Sequence, residues 1–150
     1  VDTLRFVLQA EPIEAISLSQ HFGMSSSTVE DGSMAIFRFD NGVIAQVHTA
    51  FTVPYAGNGF EVHGTEGSLI AKNVMHPAAQ PEVLLRTAQG EQILEPAANE
   101  VYGVGVARFA AAIQGQGSPA ASGEDGLRSL AGALACLESA RTGQKVAISV

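Results

Sequence analysis

Two long runs of alternating apolar and polar residues dominate the middle of the chain. "IEAISLSQHF", from Ile13, has the period of a half-buried strand. "SMAIFRFDNGVIAQVHTAF" holds two such runs around Asn41-Gly42. That dipeptide supplies positive φ at both centres of a type I′ turn, so the pattern predicts a β-hairpin, with Met34, Ile36, Ala45 and Val47 among its facing residues. "FEVHG" and "SLIAKNVM" predict two more strands, and "PEVLLRTA" and "EQILEP" a further pair around Gly90. "QKVAISV" predicts a final strand, while "SSST" and the Pro/Gly-containing "FTVPYAGNG" predict loops.

The two ends have helical periods. "VDTLRFVLQ" carries Leu4, Phe6, Val7 and Leu8 as an apolar stripe that Pro12 terminates. From Asn99 a helix with Val101, Gly105, Phe109 and Ala112 on one face is expected, weakened by Gly103 and Gly105 at about 1 kcal/mol each. "SGEDGLRSLAGALACLESARTG" is the clearest helix. Ser122 is an N-cap, Glu124 and Asp125 occupy the positive dipole end, Arg141 the negative end, and Gly143 closes it; Leu127, Leu130, Leu134 and Leu137 form the expected buried stripe.

Antiparallel strands flanked by helices predict an α+β domain over residues 1–150: one largely antiparallel sheet with helices packed on one face. The second face is only moderately polar, which suits contact with another copy of the chain.

Composition narrows the function. With 150 residues, 46% of them hydrophobic, the chain can bury a core. A net charge of −7 and eight scattered Lys and Arg argue against nucleic acid and against an anionic membrane surface. No apolar run approaches the roughly 20 residues that span a bilayer. No basic segment followed by an apolar stretch marks a signal peptide. The single Cys136 permits no intrachain disulfide and fits a small core residue in a reducing cytoplasm. The chain opens on Val1 inside a helical pattern with no cap before it, the expectation for part of a longer protein.

No complete catalytic constellation is visible. Gly57 and Gly59 lead into a strand, and Gly103 and Gly105 lie within a helix, so neither pair makes a dinucleotide loop. The histidines His21, His48, His63 and His76 have no metal-ligand spacing, although His48 and His63 could meet on adjacent strands. Glu30 and Asp31 are neighbours on an extended chain and point apart, so they read as a turn before the hairpin. "GFEVHGTEGSLI", from Gly59, reads as a hairpin with Phe60 and Val62 on one face and Glu61 and His63 on the other; a ligand loop is the alternative.

The ordered set "DTLRFVL", "VEDGSMAIFRFDNGVIAQ", "EVHGTEGSL", the Tyr102–Phe109–Ile113–Gly115 spacing and "SGEDGLRSL" with "SARTG" covers essentially the whole chain. It resembles the C-terminal domain of the glucose–fructose oxidoreductase, inositol dehydrogenase and MocA (Gfo/Idh/MocA) family. The resemblance implies a sugar or polyol oxidoreductase that uses NADP or NAD and acts on a keto sugar. It also implies an N-terminal dinucleotide-binding domain that carries the catalytic lysine and histidine, with none of this chain's four histidines in that role. This chain would then hold no catalytic, cofactor or metal residue and would be inactive alone, shaping the sugar pocket and building a homo-oligomer through its sheet. Three residues are candidates for the substrate side: Asp2 and Tyr102 match family positions, Tyr102 one that reaches substrate in some relatives, and Tyr55 lies in a loop at a sheet end, where sites tend to be. Asp2 falls at the domain junction, with a helix-dipole role as the alternative. Tyr102 starts the penultimate helix, with a core anchor as the alternative. Tyr55 lies in the Pro/Gly loop. The competing reading is a non-catalytic sheet domain for dimerisation or ligand binding.

Overall fold

A computed structural model describes residues 1–24, 28–75, 80–96 and 101–150. The serines of the predicted "SSST" loop, His76, and Asn99 with Glu100 before the second helix lie outside the described residues. The elements run in chain order as α1 (Asp2–Leu8), β1 (Pro12–Gln20), β2 (Gly32–Phe39), β3 (Ile44–Ala50), β4 (Gly59–His63), β5 (Gly67–Lys72), β6 (Glu82–Thr87), β7 (Gly90–Leu94), α2 (Val101–Ile113), α3 (Gly123–Thr142) and β8 (Val146–Ala147). The α+β class is as expected, with every strand pairing antiparallel.

The single expected sheet is two. One has the order β3-β2-β1-β8 and the other β4-β5-β6-β7. They belong to two compact units, residues 1–54 with 121–150, and residues 55–120. The Pro/Gly segment after β3 separates the strand sets, because Pro54 cannot donate to a ladder and the next four residues form no strand. His48 and His63 therefore stand in different sheets and are not cross-strand neighbours.

In the first unit, Ala15, Ala35, Phe37 and Phe39 are buried on one sheet face with Ala10 of the α1–β1 turn and Ala135 of α3. Val1, Leu4, Leu8, Ala45, Val47 and Cys136 pack around them. The register sets Ala35 opposite Val47 and Phe37 opposite Ala45, whereas Met34 opposes His48 and Ile36 opposes Gln46. Cross-strand partners share a face. Met34 and Ile36 thus lie on the outer face, about half exposed, and not with Ala45 and Val47 as expected. That outer face, with Ile16, Leu18 and Ile44, is moderately apolar.

The hairpin turn is also a correction. Only Gly42 has a positive φ, +86°, and the Gly42 N–H donates to the Phe39 carbonyl at 3.0 Å while Phe39 N–H donates to Val43. This is a three-residue loop with a left-handed glycine, not a type I′ turn. Asp40 is held out of a tighter turn by a reciprocal pairing with Glu11: its N–H donates to the Glu11 carbonyl and its carboxylate accepts the Glu11 N–H.

Helix α3 has the ends its sequence requires. Ser122 and Asp125 form a reciprocal capping box, and Gly143 closes the helix with φ +67°. Its buried face, however, is Gly132, Ala135 and Ser139; Leu127, Leu130, Leu134 and Leu137 are about half exposed. The phenylalanines on β2 fill the space beneath the helix, so small helix residues face the sheet. A Cβ on Gly132 would lie 3.0 Å from Val1 Cγ1, which shows how closely the chain start approaches the helix. Cys136 is half-buried, and burial pushes its thiol pKa up, as a core role requires.

In the second unit, Phe60, Val62, Leu69, Ala71, Val83 and Leu85 share one face by register, and Glu61, His63, Ser68 and Arg86 the other. The strand expected over 68–75 ends at Lys72, where Asn73 takes φ +58° and donates its N–H to Asn58. In α2, Phe109 is exposed and does not lie on a buried face; Gly105 and Ala112 are partly covered.

Candidate functional site

Asp2 begins α1, and its carboxylate is the exposed end of a buried network. Arg5, 8% exposed, donates to Glu11 through Nε at 2.7 Å and Nη2 at 2.8 Å. It also reaches the Asp125 carboxylate at 3.3 Å, the Asp125 carbonyl at 3.1 Å and Asp2 Oδ1 at 3.5 Å. The Ser129 hydroxyl donates to the same Asp2 oxygen at 3.0 Å. Planar guanidinium with five donors suits this fan of acceptors, which a lysine could not serve. The hydrogen bonds from Arg5 hold the Glu11 carboxyl below its usual range, and Glu11 in turn raises the Arg5 pKa. Asp125 is held low first by the Ser122 hydroxyl and N–H and then by Arg5. The sum is a carboxylate at Asp2, 64% exposed and braced on one oxygen by two donors. Such a group can accept hydrogen bonds from hydroxyls.

Tyr55 and Tyr102 belong to the second unit. Tyr55 is 99% exposed in the loop after β3, and Tyr102 is 71% exposed at the start of α2. Neither phenol is hydrogen-bonded to another described residue, and no such bond joins one to the other. The anchoring alternative for Tyr102, a buried core aromatic, does not fit that exposure. Asp2 lies in the other unit from both tyrosines.

Asp31 is the polar residue that spacing overlooked. It is 4% exposed, and its carboxylate accepts the N–H of Phe22 at 2.8 and 3.0 Å and of Met24 at 3.2 Å. Its own N–H donates to Gln20 and its carbonyl accepts Phe51 N–H. One residue thus ties the ends of β1, β2 and β3. The backbone N–H bonds, Phe22 first, keep its pKa low. The sequence signal was an aspartate directly before a strand, where its side chain can cap neighbouring backbone.

Neither glycine pair makes a cofactor cradle. Gly59 opens β4, and Gly103 and Gly105 sit inside α2, so among the described residues neither pair lies between a strand and a helix N-terminus. No group of three or more metal-binding side chains occurs among the described residues.

Comparisons with known proteins fit this architecture. The GFO/IDH/MocA C-terminal domain model matches residues 1–70. A 1,5-anhydro-D-fructose reductase of Ensifer adhaerens is 51% identical over 147 residues, 98% of this chain and 44% of the reductase, so the chain spans less than half of that relative. Among solved structures, an aldose-aldose oxidoreductase from Caulobacter crescentus complexed with glycerol superposes with a TM-score of 0.87 at 19% identity, over 97% of this chain and 44% of the other. A levoglucosan dehydrogenase in complex with NADH and levoglucosan gives 0.82 at 22% identity, over 100% and 48%. These two establish the likeness of fold. With half of the aligned residues identical along nearly the whole of this chain, and the family's C-terminal domain model matched over residues 1–70, the chain belongs to the GFO/IDH/MocA family.

Proposed function

We propose that the whole protein is an NAD(P)-dependent reductase of 1,5-anhydro-D-fructose or a related keto sugar, and that this chain is its substrate-side and assembly domain. The observation that carries the reading is the 51% identity to the Ensifer reductase over 98% of the chain. NADPH or NADH supplies the hydride, and its cradle belongs to the remainder of the protein, since no glycine pair here is suited to it. In the whole protein Asp2 in the first unit, and separately the phenols of Tyr55 and Tyr102 in the second, are each proposed to bond a sugar hydroxyl. A phenol donates and accepts while its ring packs on apolar sugar carbons, and a braced carboxylate accepts. The enzyme works in the cytoplasm.

The outer face of the first sheet, with Ile16, Leu18, Met34, Ile36 and Ile44, pairs with the same face of a second copy. Its one acid, Glu14, is bonded to Arg38 at 2.9 Å and Lys145 at 2.7 Å, so two copies of an acidic chain meet there without opposed carboxylates.

The test assays the whole protein and this chain alone with NADPH, NADH and 1,5-anhydro-D-fructose. Turnover by the whole protein only is the expected result. Equal turnover by this chain alone, or none by the whole protein on any keto sugar, overturns the reading. Sedimentation of the chain at high concentration tests the pairing, and a monomer refutes it.

A further inference from the structure

The β4–β5 hairpin aligns three side chains with chemistry of their own. His63 and Ser68 are directly opposite in the register, and His63 Nδ1 lies 2.9 Å from Ser68 Oγ. On the other side of the ring, His63 Nε2 lies 3.1 Å from Glu61 Oε2, two residues back on the same strand face. An ionised carboxylate only accepts, so in the neutral imidazole the proton sits on Nε2 and Nδ1 is left to accept the serine hydroxyl. A nucleophile within hydrogen-bond reach of a base that a third group orients is the geometry of an activated serine.

Two neighbours complete the setting. Arg86 stands opposite Ser68 in the next strand pair, about 5 Å away at Cβ. Its Nε is engaged by Glu91 at 2.7 Å, which steadies the guanidinium while other donors remain on it.

We propose that Ser68 is a nucleophile, with His63 as its base, Glu61 as the residue that orients His63, and Arg86 as the cation facing the developing oxyanion, and that it accepts acyl groups from small esters. Ser68 Oγ forms the new ester bond to the acyl carbon as His63 takes its proton. The donor's carbon–oxygen bond breaks, and the departing alkoxide leaves as the alcohol with the proton from His63. Water then releases the carboxylic acid by the same steps. None of these residues is among the proposed sugar contacts, and the inference does not rest on them.

The experiment exposes the protein to p-nitrophenyl acetate and follows acetylation by intact mass and peptide mapping, with circular dichroism confirming the fold of each variant. The expected result is one acetyl group on Ser68, none there in Ser68→Ala, and a rate lower by about 100-fold in His63→Gln, the scale of general-base assistance. Glu61→Gln slows the reaction less. Acetylation elsewhere with Ser68 untouched, an unchanged rate in His63→Gln, or a wild-type rate no faster than in urea makes the cluster a hairpin contact only and overturns the proposal.

Discussion

The hydroxyl of Ser139 accepts the backbone N–H of Ser17 at 2.9 Å across the interface of α3 and β1. It also donates to the Gln144 carbonyl at 2.7 Å. Strands β1 and β8 pair as Glu14 with Ala147 and Ala15 with Val146, and that register carried two residues further sets Ser17 against Gln144. The side chain is therefore inserted where a direct ladder bond would stand, and it lets the short β8 end while β1 continues. Ser139 is fully buried and Ser17 nearly so. Ser139→Ala leaves a buried N–H unpaired at a cost of about 1–3 kcal/mol. Urea unfolding of the first unit should show a lower midpoint with an unchanged slope, and an unchanged midpoint contradicts the assignment.

The Arg5 network makes a pH-dependent contribution. Glu11 titrates below its ordinary 4.5 because Arg5 donates two hydrogen bonds to it. A lowered folded-state pKa stabilises above the unfolded value and stops doing so as pH falls through the folded value. The stability gap between wild type and Glu11→Gln should be full above about pH 4.5 and close as acid is added below it. At neutral pH, Arg5→Met should cost about 2 kcal/mol, less than a fully buried pair, because Glu11 and Asp125 are 35% and 41% exposed. Stability curves at pH 3 and pH 7 measure both.

Asp31 fixes the loop after β1 through the amides of Phe22 and Met24. Asp31→Asn replaces a charged acceptor by a weaker one. Amide exchange at Phe22 and Met24 should then accelerate, while exchange in the centre of β2 stays unchanged. Faster exchange throughout the unit would mean that Asp31 supports the whole sheet.

The hairpins and the last helix were legible because each has a local cause: alternation along the strands, a glycine in the β2–β3, β4–β5 and β6–β7 turns, and Ser122 with Gly143 at the ends of α3. The face of that helix was not legible. Leucine at helical spacing marks an apolar stripe but not which element covers it, and here Ala135 packs with Phe37 and Phe39, Gly132 lies against Val1 and Ser139 bonds Ser17. The division into two sheets was hidden for a similar reason, since pairing between strands depends on contacts far apart in sequence. For the proposed sugar contacts, the motif match supplied Asp2 and Tyr102 and the Pro/Gly loop supplied Tyr55, but Arg5 and Ser129, which brace Asp2, come from elements whose meeting no spacing reveals.

If Tyr102 bonds a sugar hydroxyl in the whole enzyme, Tyr102→Phe removes one hydrogen bond and keeps the ring. The loss should be about 1 kcal/mol, near five-fold in kcat/KM, and should be felt mainly in KM. Tyr102→Ala should lose more by removing ring contact. Equal kinetics in both variants and wild type would remove Tyr102 from the site.

Gly67, like Gly59 at the start of β4, is a position in the β4–β5 hairpin that tolerates no side chain. A Cβ there would run into the carbonyl oxygen of Arg86 on the neighbouring strand. The obstacle is backbone, so relief requires β5 and β6 to separate where Gly67 opposes Thr87. Gly67 is also tied to the turn, because its carbonyl accepts the Gly64 N–H at 2.9 Å. Gly67→Ala should cost about 1–3 kcal/mol, the range for forcing an atom into filled space. The loss should fall on the second sheet: amides in β5 and β6 exchange faster, while those in β1 and β2 keep their protection. Gly57→Ala is the control, since nothing lies within 4 Å of a Cβ at that loop position. If both variants are equally stable, the approach of Arg86 is not the reason for glycine at residue 67.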